Sequence, residues 1–230
     1  MKNIKTKKKN NMKLLIKFPT RNRPNKFLNI LDKYVGFLDD KTTEIVVTCD
    51  LDDETMNQEW VKEIAEAHPN VKLYFGENKS KIEAVNADLD GVDFDIVLLA
   101  SDDMIPKVKG YDTIIKNLMG VHYPDTDGIL WFNDGYQGDK LNTLCIIGKK
   151  YYDRFGYIYN PEYVSVWCDN EFMDIGNMLN KQTYFPEVII QHEHPDWGHG
   201  GRDDIHVLNS KFEATDRETY NRRKANNFGL

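Results

Sequence analysis

The sequence has few cysteines and no long apolar run, and both absences narrow the class of protein. Only three cysteines occur among 230 residues, at Cys49, Cys145 and Cys168, and none forms a CxxC motif. This spacing excludes a disulfide framework and indicates reduced, buried thiols in a cytoplasmic protein. No apolar run approaches the roughly 20 residues that a membrane-spanning helix requires. The sequence therefore predicts no membrane span.

The chain as a whole also lacks net positive charge. The formal net charge is −7 and the isoelectric point is near 5.4. Nucleic-acid binding usually needs a basic face, so nucleic acid is not an expected partner. Lysines cluster only in residues 1–11, which are predicted to form a basic disordered tail without a secretory signal. An electrostatic arm for anionic surfaces is the alternative for this tail.

Residues 12–230 are predicted to form one domain in which strands and helices alternate. Strands are predicted at residues 12–19, 44–50, 71–75 and 94–100, with helices at 25–38, 55–68 and 80–89. This alternation is typical of a parallel sheet with crossover helices. The order is less regular after Asp103. Strands are predicted there at residues 128–132, 143–147 and 184–190, with a helix at 169–179 and a helical C-terminus.

A buried apolar strand at residues 96–100 is followed by two adjacent carboxylates, Asp102 and Asp103. The second predicted strand ends in the same way, at Asp50. Carboxyl ends of parallel strands meet at one edge of a sheet, where α/β proteins bind ligands. Neighbouring carboxylates repel each other unless a cation lies nearby. A divalent metal shared with the phosphates of a nucleotide diphosphate is therefore expected, although Asp50 alone also fits a strand-end turn.

Other polar residues fall where they would meet the same nucleotide. Thr20, Arg21 and Arg23 follow the first strand, on the same predicted edge as the acids. Lys81 begins a helix and would neutralise a diphosphate, and Asn86, just over one turn further on, would brace the acidic loop. The alternative for Lys81 and Asn86 is an ordinary amphipathic helix with an exposed lysine.

The second half of the chain contains a second pair of acids, Asp169 and Glu171. Side chains two positions apart do not share a helix face, so one acid would face a cleft while the other caps or orients the helix. Asp169 is then the candidate general base for an acceptor hydroxyl. The alternative is a helix N-terminus with acidic residues in its first turn.

Two histidines and two tryptophans complete the candidate residues. His192 and His194 would face the same side of an extended segment, and neutral imidazole binds divalent metals well. A hydrogen-bonded position at a strand end is the alternative for each histidine. Trp131 and Trp167 would form a stacking surface for an acceptor, or else pack in the core.

Together these segments resemble the GT-A glycosyltransferases, and among them the large family-2-like group, from residue 12 to residue 194. The segments that carry the resemblance, in the order of that family, are residues 19–24, Asp50, and residues 78–86, 101–103 and 169–171. Asp50 matches the acid that contacts the nucleotide base in that family. Asp103 matches the metal-binding acid of its DxD segment, and Asp169 matches the catalytic base of its ED motif. A histidine after the last strand often completes the metal shell, as His192 or His194 would here.

The resemblance implies a GT-A-like, Rossmann-like α/β fold with a mostly parallel central sheet flanked by helices. Residues 12–106 would bind the nucleotide-sugar and residues 107–195 the acceptor, with a loop and helix at 196–230. The implied activity moves a sugar from a nucleotide-diphospho-sugar, with a UDP-sugar expected, to a hydroxyl acceptor. The implied cofactor is Mn²⁺ or Mg²⁺, and the implied stereochemistry is inversion. Saccharide, lipid carrier, protein and modified nucleobase all stay open as acceptors.

Two departures from the family pattern keep other functions open. Ser101 stands where the family usually has an acid in its metal motif, and Cys168 stands where an acid often precedes the base. A non-catalytic nucleotide-sugar-binding protein of the same fold is one alternative. A nucleotidyltransferase is the other, although such enzymes usually carry a glycine-rich loop after the first strand. This chain has arginines and no glycine at that place.

Overall fold

The computed structural model describes residues 12–193 and 211–230. The tail at residues 1–11 and His194 lie outside these ranges, so the predictions made for them stay predictions. The strands are β1 Leu14–Thr20, β2 Glu44–Asp50, β3 Val71–Gly76, β4 Ile96–Leu99, β5 Met104–Pro106, β6 Ile129–Phe132, β7 Ile146–Gly148, β8 Gln182–Phe185 and β9 Ile190–His192. The helices are α1 Pro24–Phe37, α2 Glu59–Glu66, α3 Lys81–Asn86, α4 Tyr111–His122, α5 Lys149–Phe155, α6 Cys168–Met178 and α7 Glu213–Ala225.

Seven of the strands form one central sheet in the order β3-β2-β1-β4-β7-β6-β8. Strands β1 to β4 are parallel, β7 runs antiparallel to both of its neighbours, and β6 and β8 are parallel to each other. The predicted α/β class with a mostly parallel sheet is confirmed. The antiparallel β7 explains why the strand–helix alternation in the sequence weakens after Asp103.

Helices cover both faces of the sheet, because successive side chains of a strand point to opposite faces. On one face, Leu14, Ile16 and Phe18 of β1 pack with residues from α1, α2 and α4. On the other, Leu15 packs with residues from α3, α5, α6 and α7. Burial on both faces is the reason that the strands are nearly continuous apolar runs.

Two structural elements differ from their prediction for local reasons. The strand predicted at residues 184–190 is split into β8 and β9. Pro186 directly follows β8, and a proline has no N–H with which to continue a ladder. Helix α2 starts at Glu59 and not at Thr55. A turn precedes it, in which Asp53 accepts hydrogen bonds from the backbone N–H groups of Thr55 and Met56.

Helices α4 and α5 were not predicted. Along α4, Tyr111, Ile115 and Met119 are buried at helical spacing, but Asp112 and Lys116 are buried beside them. The Asp112 carboxylate accepts hydrogen bonds from the backbone N–H groups of residues 39 and 40, at 2.9 Å each. Charged residues inside the buried face interrupt the apolar pattern from which a helix is recognised.

The state of the three thiols agrees with the composition. Cys49, Cys145 and Cys168 are all buried and free, as predicted. Within the two described ranges, no helix is both long enough and apolar enough to cross a membrane.

Candidate active site

The carboxyl ends of the parallel strands bring the predicted residues to one edge of the sheet. Strand β1 ends at Thr20 and β2 at Asp50, and the residue pairs Thr20–Cys49 and Asp50–Gly76 keep these ends level with each other. The Ala100 amide after β4 donates to the Lys17 carbonyl of β1, so the 101–103 turn opens beside the same ends. The hydroxyl oxygen of Thr20 is buried there with no hydrogen-bond partner among the described residues.

Three of the aspartates at this edge form ion pairs with the arginines that follow β1. Arg21 Nη1 lies 2.5 Å from Asp50 Oδ2 and 2.7 Å from Asp52 Oδ1. Arg23 Nη1 lies 2.9 Å from Asp102 Oδ1. These pairs fasten the loop after β1 to the loops after β2 and β4. The predicted nucleotide-binding residues Arg21, Arg23, Asp50 and Asp102 therefore lie together, and their charges are already partly compensated.

Asp53 holds the middle of the same loop, and sequence reasoning missed this role. Its Oδ2 accepts a 2.6 Å hydrogen bond from the Asn22 N–H, while its Oδ1 accepts from Thr55 and Met56. Asn22 has a left-handed backbone with φ of 59°. Asparagine tolerates this conformation better than most residues, which was the available signal for a tight turn. Asp53 thus fixes the loop that presents both arginines.

Asp103 has different partners from its neighbour Asp102. The Ser101 hydroxyl donates a hydrogen bond to Asp103 Oδ1, and His192 Nε2 lies 3.6 Å from the same oxygen. Burial raises the pKa of Asp103, but His192, the Ser101 hydroxyl and the charge of Lys81 together bring that pKa well below its usual range. Asp103 is therefore an ionised carboxylate next to an imidazole.

The small sheet β5–β9 brings His192 to Asp103. These strands are antiparallel, with Met104 paired to His192, and the Glu193 N–H donates to the Asp103 carbonyl at 2.8 Å. On the other side, the His192 N–H donates to the Asp134 carbonyl at 3.0 Å. The position of His192 therefore follows from backbone pairing with two distant segments.

Asp134 is a second residue whose role sequence reasoning missed. Its buried carboxylate accepts hydrogen bonds from the N–H groups of Tyr136 and Gln137 and from the Thr143 hydroxyl, at 2.7–2.9 Å. An aspartate before a glycine is a common signal for such a turn. Asp134 orders the loop after β6 and, through its carbonyl, supports His192.

The charges of Lys81 and His192 affect the pKa of Asp169 as well as that of Asp103. Burial raises the pKa of the Asp169 carboxyl, and the positive charges of Lys81 and His192 oppose that rise. Lys81 also lowers the pKa of Asp103. Lys81 and His192 thus each influence the pKa of both Asp103 and Asp169.

Glu171, predicted together with Asp169, is engaged in an ion pair. Arg223 of α7 donates from Nε to Glu171 Oε2 at 2.7 Å and from Nη2 to Oε1 at 2.9 Å. The Tyr163 hydroxyl donates to Oε2 at 2.8 Å. Both oxygens of the buried carboxylate are used in this way, so Glu171 fastens α6 to α7 and is not retained as a candidate catalytic group.

Asn86 braces a different segment from the one expected. Its Oδ1 accepts hydrogen bonds from the N–H groups of Ile158 and Tyr159, and its Nδ2 donates to the Tyr159 carbonyl at 2.7 Å. The expectation that Asn86 braces the acidic loop is wrong. The aromatic segment before α6 provides closer backbone groups, which satisfy both ends of the amide.

The two tryptophans proposed for acceptor binding each pack against a tyrosine. Trp131 of β6 is 7% exposed and lies edge-on to Tyr184 of β8, with ring centroids 5.0 Å apart. Trp167 precedes α6 and packs against Tyr220 of α7 at 5.2 Å. Packing thus accounts for much of the surface of both rings, and contact with an acceptor stays a prediction.

Lys17 is a buried cation that the apolar pattern of β1 concealed. Its amine donates to the Ala87 carbonyl at 2.7 Å and to the Thr48 hydroxyl. Burial lowers the pKa of Lys17 to about 8, against the opposing charge of Asp88. This lysine holds the C-terminal end of α3, the helix that begins with Lys81.

The residues near Asp103 fit a divalent cation that is shared with a ligand. Asp103 offers a carboxylate oxygen and His192 an imidazole nitrogen, a mixed pair that suits Mn²⁺ better than Mg²⁺. Across residues 12–193 and 211–230, no group of three or more acidic, histidine or cysteine side chains forms a metal site. The other ligands would have to be diphosphate and water oxygens.

Comparison with known proteins supports the fold. No protein-family profile and no curated protein matches the sequence. Solved structures do match, and two of them, PcManGT and TarS, are GT-A-type glycosyltransferases. The chain therefore has a GT-A-like fold, as the resemblance in the sequence implied.

Two of these structures illustrate the extent of the similarity. PcManGT, a mannosyltransferase from Pyrobaculum calidifontis in complex with GDP-Man and Mn²⁺, matches with a TM-score of 0.64 and 16% identity over 80% of this chain. TarS of S. aureus, residues 1–349 in complex with UDP-GlcNAc, matches with a TM-score of 0.63 and 16% identity over 86% of this chain. This chain spans 57% of the first protein and 61% of the second.

Proposed function

We propose that this chain is a glycosyltransferase that moves a sugar from a nucleotide-diphospho-sugar to a hydroxyl acceptor. The observation that carries the proposal is the position of Asp103 beside His192, 3.6 Å apart, next to the ends of the parallel strands. Lys81 and His192 influence the pKa of both Asp103 and Asp169. Asp103, His192 and Lys81 are suited to a metal and a diphosphate. Asp169 is a partly buried carboxylate with a raised pKa, which is suited to accepting a proton.

The donor would lie across the loops that follow β1, β2 and β4. Asp50, Arg21, Arg23 and Thr20 line the side on which the base and ribose would bind, with Asp102 holding Arg23 in place. We expect a UDP-sugar because the family resembled in the sequence uses such donors. A TarS structure contains UDP-GlcNAc and the PcManGT structure contains GDP-Man, so both bases belong in the first test.

Asp103 and His192 would hold Mn²⁺ against the diphosphate. The bound ion would offset negative charge on the departing nucleoside diphosphate, and the Lys81 ammonium would add to this effect. Asp169 would take the proton of the acceptor hydroxyl while that oxygen attacks the anomeric carbon. The bond from this carbon to the diphosphate oxygen would break on the opposite face. The configuration of the sugar would then be inverted.

The acceptor would approach from the second half of the chain, where Trp131 and Trp167 lie. Each ring already has an aromatic neighbour, so an acceptor would contact its remaining edge or face. A sugar hydroxyl, a lipid carrier, a protein side chain and a modified nucleobase all present the required nucleophile. The acceptor class is the first property to establish once a donor is known.

One observation favours a second candidate, a non-catalytic nucleotide-sugar-binding protein of the same fold. Ser101 stands at the acid position of the metal motif, and its hydroxyl hydrogen-bonds the same Asp103 oxygen that lies nearest His192. A hydroxyl there competes with a metal for that oxygen. Binding without turnover would follow if the metal did not enter.

A thermal-shift panel tests the proposal directly. The full chain is mixed with UDP, GDP, UDP-GlcNAc, UDP-glucose and GDP-mannose, each with Mn²⁺ and with EDTA. A ligand that binds the folded state raises Tm by mass action, so we expect an increase for at least one nucleotide with Mn²⁺ and a smaller one with EDTA.

Release of UDP or GDP from the stabilising donor then separates the two candidates. Slow Mn²⁺-dependent hydrolysis by the unaltered protein supports the transferase, with water as the acceptor. Stabilisation without any hydrolysis or transfer favours the binding protein. An unchanged Tm across the whole panel would rule out both.

A further inference from the structure

We propose that Asp216 of the C-terminal helix α7 is a positioning residue for Asp169. This inference rests on the proposed function, in which Asp169 is the general base that takes the proton of the acceptor hydroxyl. Asp216 does not belong to any motif recognised in the sequence, and it is fully buried. It acts through the segment at residues 164–166, which leads directly into α6.

The geometry consists of three successive backbone N–H groups that donate to one carboxylate. Val164 N lies 2.9 Å from Asp216 Oδ1. Ser165 N and Val166 N lie 2.8 Å and 2.9 Å from Asp216 Oδ2. Successive amides that point to one place form a concave site for an anion. Here the anion is a side chain of the same protein, supplied by a distant helix.

Because Asp216 is buried, its carboxylate and the three N–H groups need each other as hydrogen-bond partners. A buried carboxylate is costly unless it is hydrogen-bonded, and the same holds for buried N–H groups. Each side satisfies the other, so the segment at residues 164–166 has one favoured position relative to α7. The contact is also independent of side-chain identity in that segment, because it uses only its backbone.

The held segment touches both halves of the candidate site. Its Val164 carbonyl accepts a hydrogen bond from the Ile82 N–H in α3, next to Lys81. The segment continues into Trp167, which has a left-handed backbone with φ of 64°. Helix α6 begins at the next residue, Cys168. Asp169 is the second residue of α6. A displacement of the 164–166 segment would therefore move Asp169 relative to Lys81.

Other contacts hold α7 against α6 without involving this segment. Asp174 of α6 accepts hydrogen bonds from the Tyr220 hydroxyl at 2.6 Å and from Lys224 at 2.9 Å. Asp174 therefore provides a matched control. Asp174→Asn weakens the same pair of helices and leaves the three amides in contact with Asp216.

Asp216→Asn is the test variant, because it keeps the size of the side chain and removes one acceptor oxygen. One of the three N–H groups then faces an amide N–H₂, and the segment loses its fixed position. A misplacement of about 1 Å at a reacting group lowers a rate by about 100-fold. We expect kcat to fall by about 10- to 100-fold, with KM for the donor changed by less than about threefold.

The experiment uses the full chain with Mn²⁺ and the donor that the thermal-shift panel identifies, and it follows nucleotide release with water as acceptor. Asp174→Asn should keep kcat within about twofold of the unaltered protein even if its Tm falls by as much as that of Asp216→Asn. A general structural weakening would lower kcat in both variants alike. Equal kcat values for Asp216→Asn and Asp174→Asn would overturn the positioning role.

Hydrogen exchange adds a measurement that does not depend on activity or on the folding of a variant. In the unaltered protein, the amides of Val164, Ser165 and Val166 should exchange as slowly as those of β4, because each donates to a buried carboxylate. Fast exchange would overturn the contact itself. Absence of all nucleotide-sugar turnover in the unaltered protein would instead overturn the proposed function and the role of Asp169. Normal turnover with an unaffected Asp216→Asn would overturn only the role of Asp216.

Discussion

Asp102 and Asp103 are adjacent in the chain and identical in type, yet they have different partners. Asp102 pairs with Arg23 at 2.9 Å and with Lys26 at 3.3 Å. Asp103 accepts from Ser101 and lies 3.6 Å from the imidazole of His192. An arginine is a permanent cation, whereas an imidazole changes charge near neutral pH and also binds metals. The first carboxylate holds a loop, and in the proposed function the second would receive a cation.

The same contrast holds for the wider site. On the proposed donor side, Asp50 and Asp102 are compensated by arginines that follow β1. On the proposed reacting side, Asp103 and Asp169 share the influence of Lys81 and His192. Strong, permanent pairs give a fixed surface for a ligand. In the proposed function, Asp103 would bind the metal and Asp169 would take the proton.

The largest expected effect comes from Asp169→Asn, on the reacting side. An amide cannot accept the proton, so kcat should fall by about 1,000-fold while donor affinity stays within about twofold. Nucleotide release and calorimetric titration of the donor measure the two quantities. A variant that retains the original kcat would remove Asp169 from the proposed mechanism.

Asp103→Asn should have the next largest effect, and it should act through the metal. Loss of a carboxylate ligand lowers metal affinity by at least about 100-fold, so Mn²⁺ should no longer strengthen donor binding. Titrations of the donor with Mn²⁺ and with EDTA give this difference for each protein. Ser101→Ala, which keeps the Asp103 charge, is the control and should retain the Mn²⁺ effect. The same metal dependence in all three proteins would contradict the assignment.

Asp102→Asn should affect stability. It leaves the largely buried Arg23 guanidinium without its carboxylate, and breaking a buried pair in this way costs about 3 kcal/mol of unfolding free energy. Lys26→Met removes the half-exposed partner of the same carboxylate and should cost less than about 1 kcal/mol. Urea denaturation measures both values. Equal losses in the two variants would show that Asp102 is not held mainly by Arg23.

The smallest expected effect is a change in pH dependence on substitution of Lys81. Burial raises the pKa of Asp169 above its ordinary value of 3.8, and Lys81 opposes the rise. Because a base must be ionised, the rate should fall as the pH drops through that raised pKa. Lys81→Met removes the opposing charge, raises the pKa further and should move this acidic limb to higher pH. The exposed Lys79 provides the control, since Lys79→Met should leave the profile in place.

Much of the fold could be predicted because it depends on local pattern. The bounds of β2 match the prediction, since an apolar, β-branched run ends cleanly at Asp50. Helix α4 escaped prediction because Asp112 and Lys116 lie within its buried face. Asp112 accepts hydrogen bonds from the backbone of residues 39 and 40, and Lys116 donates to Asp40 and Thr43. These partners are distant in the sequence, so the local pattern of residues does not reveal them.

The residues that support the site were harder to predict than the residues within it. Asp134 and Asp216 act by accepting hydrogen bonds from backbone N–H groups. Any aspartate in a turn or at a helix start fits the same local description, so the sequence does not distinguish these two from the others. Lys17 was hidden for the opposite reason, because a lysine within an apolar strand ordinarily marks an exposed position.

The sequence by itself determined which residues stand at the carboxyl ends of the parallel strands, because the length and polarity of a strand depend on residues that are neighbours in the chain. It thereby placed Thr20, Asp50, Asp102 and Asp103 at one edge. Only the tertiary structure decided the partner of each carboxylate. Those partners come from the loop after β1 and from β9, and for Glu171 from α7. The charge state of a carboxylate depends on what lies within a few ångströms of it in space.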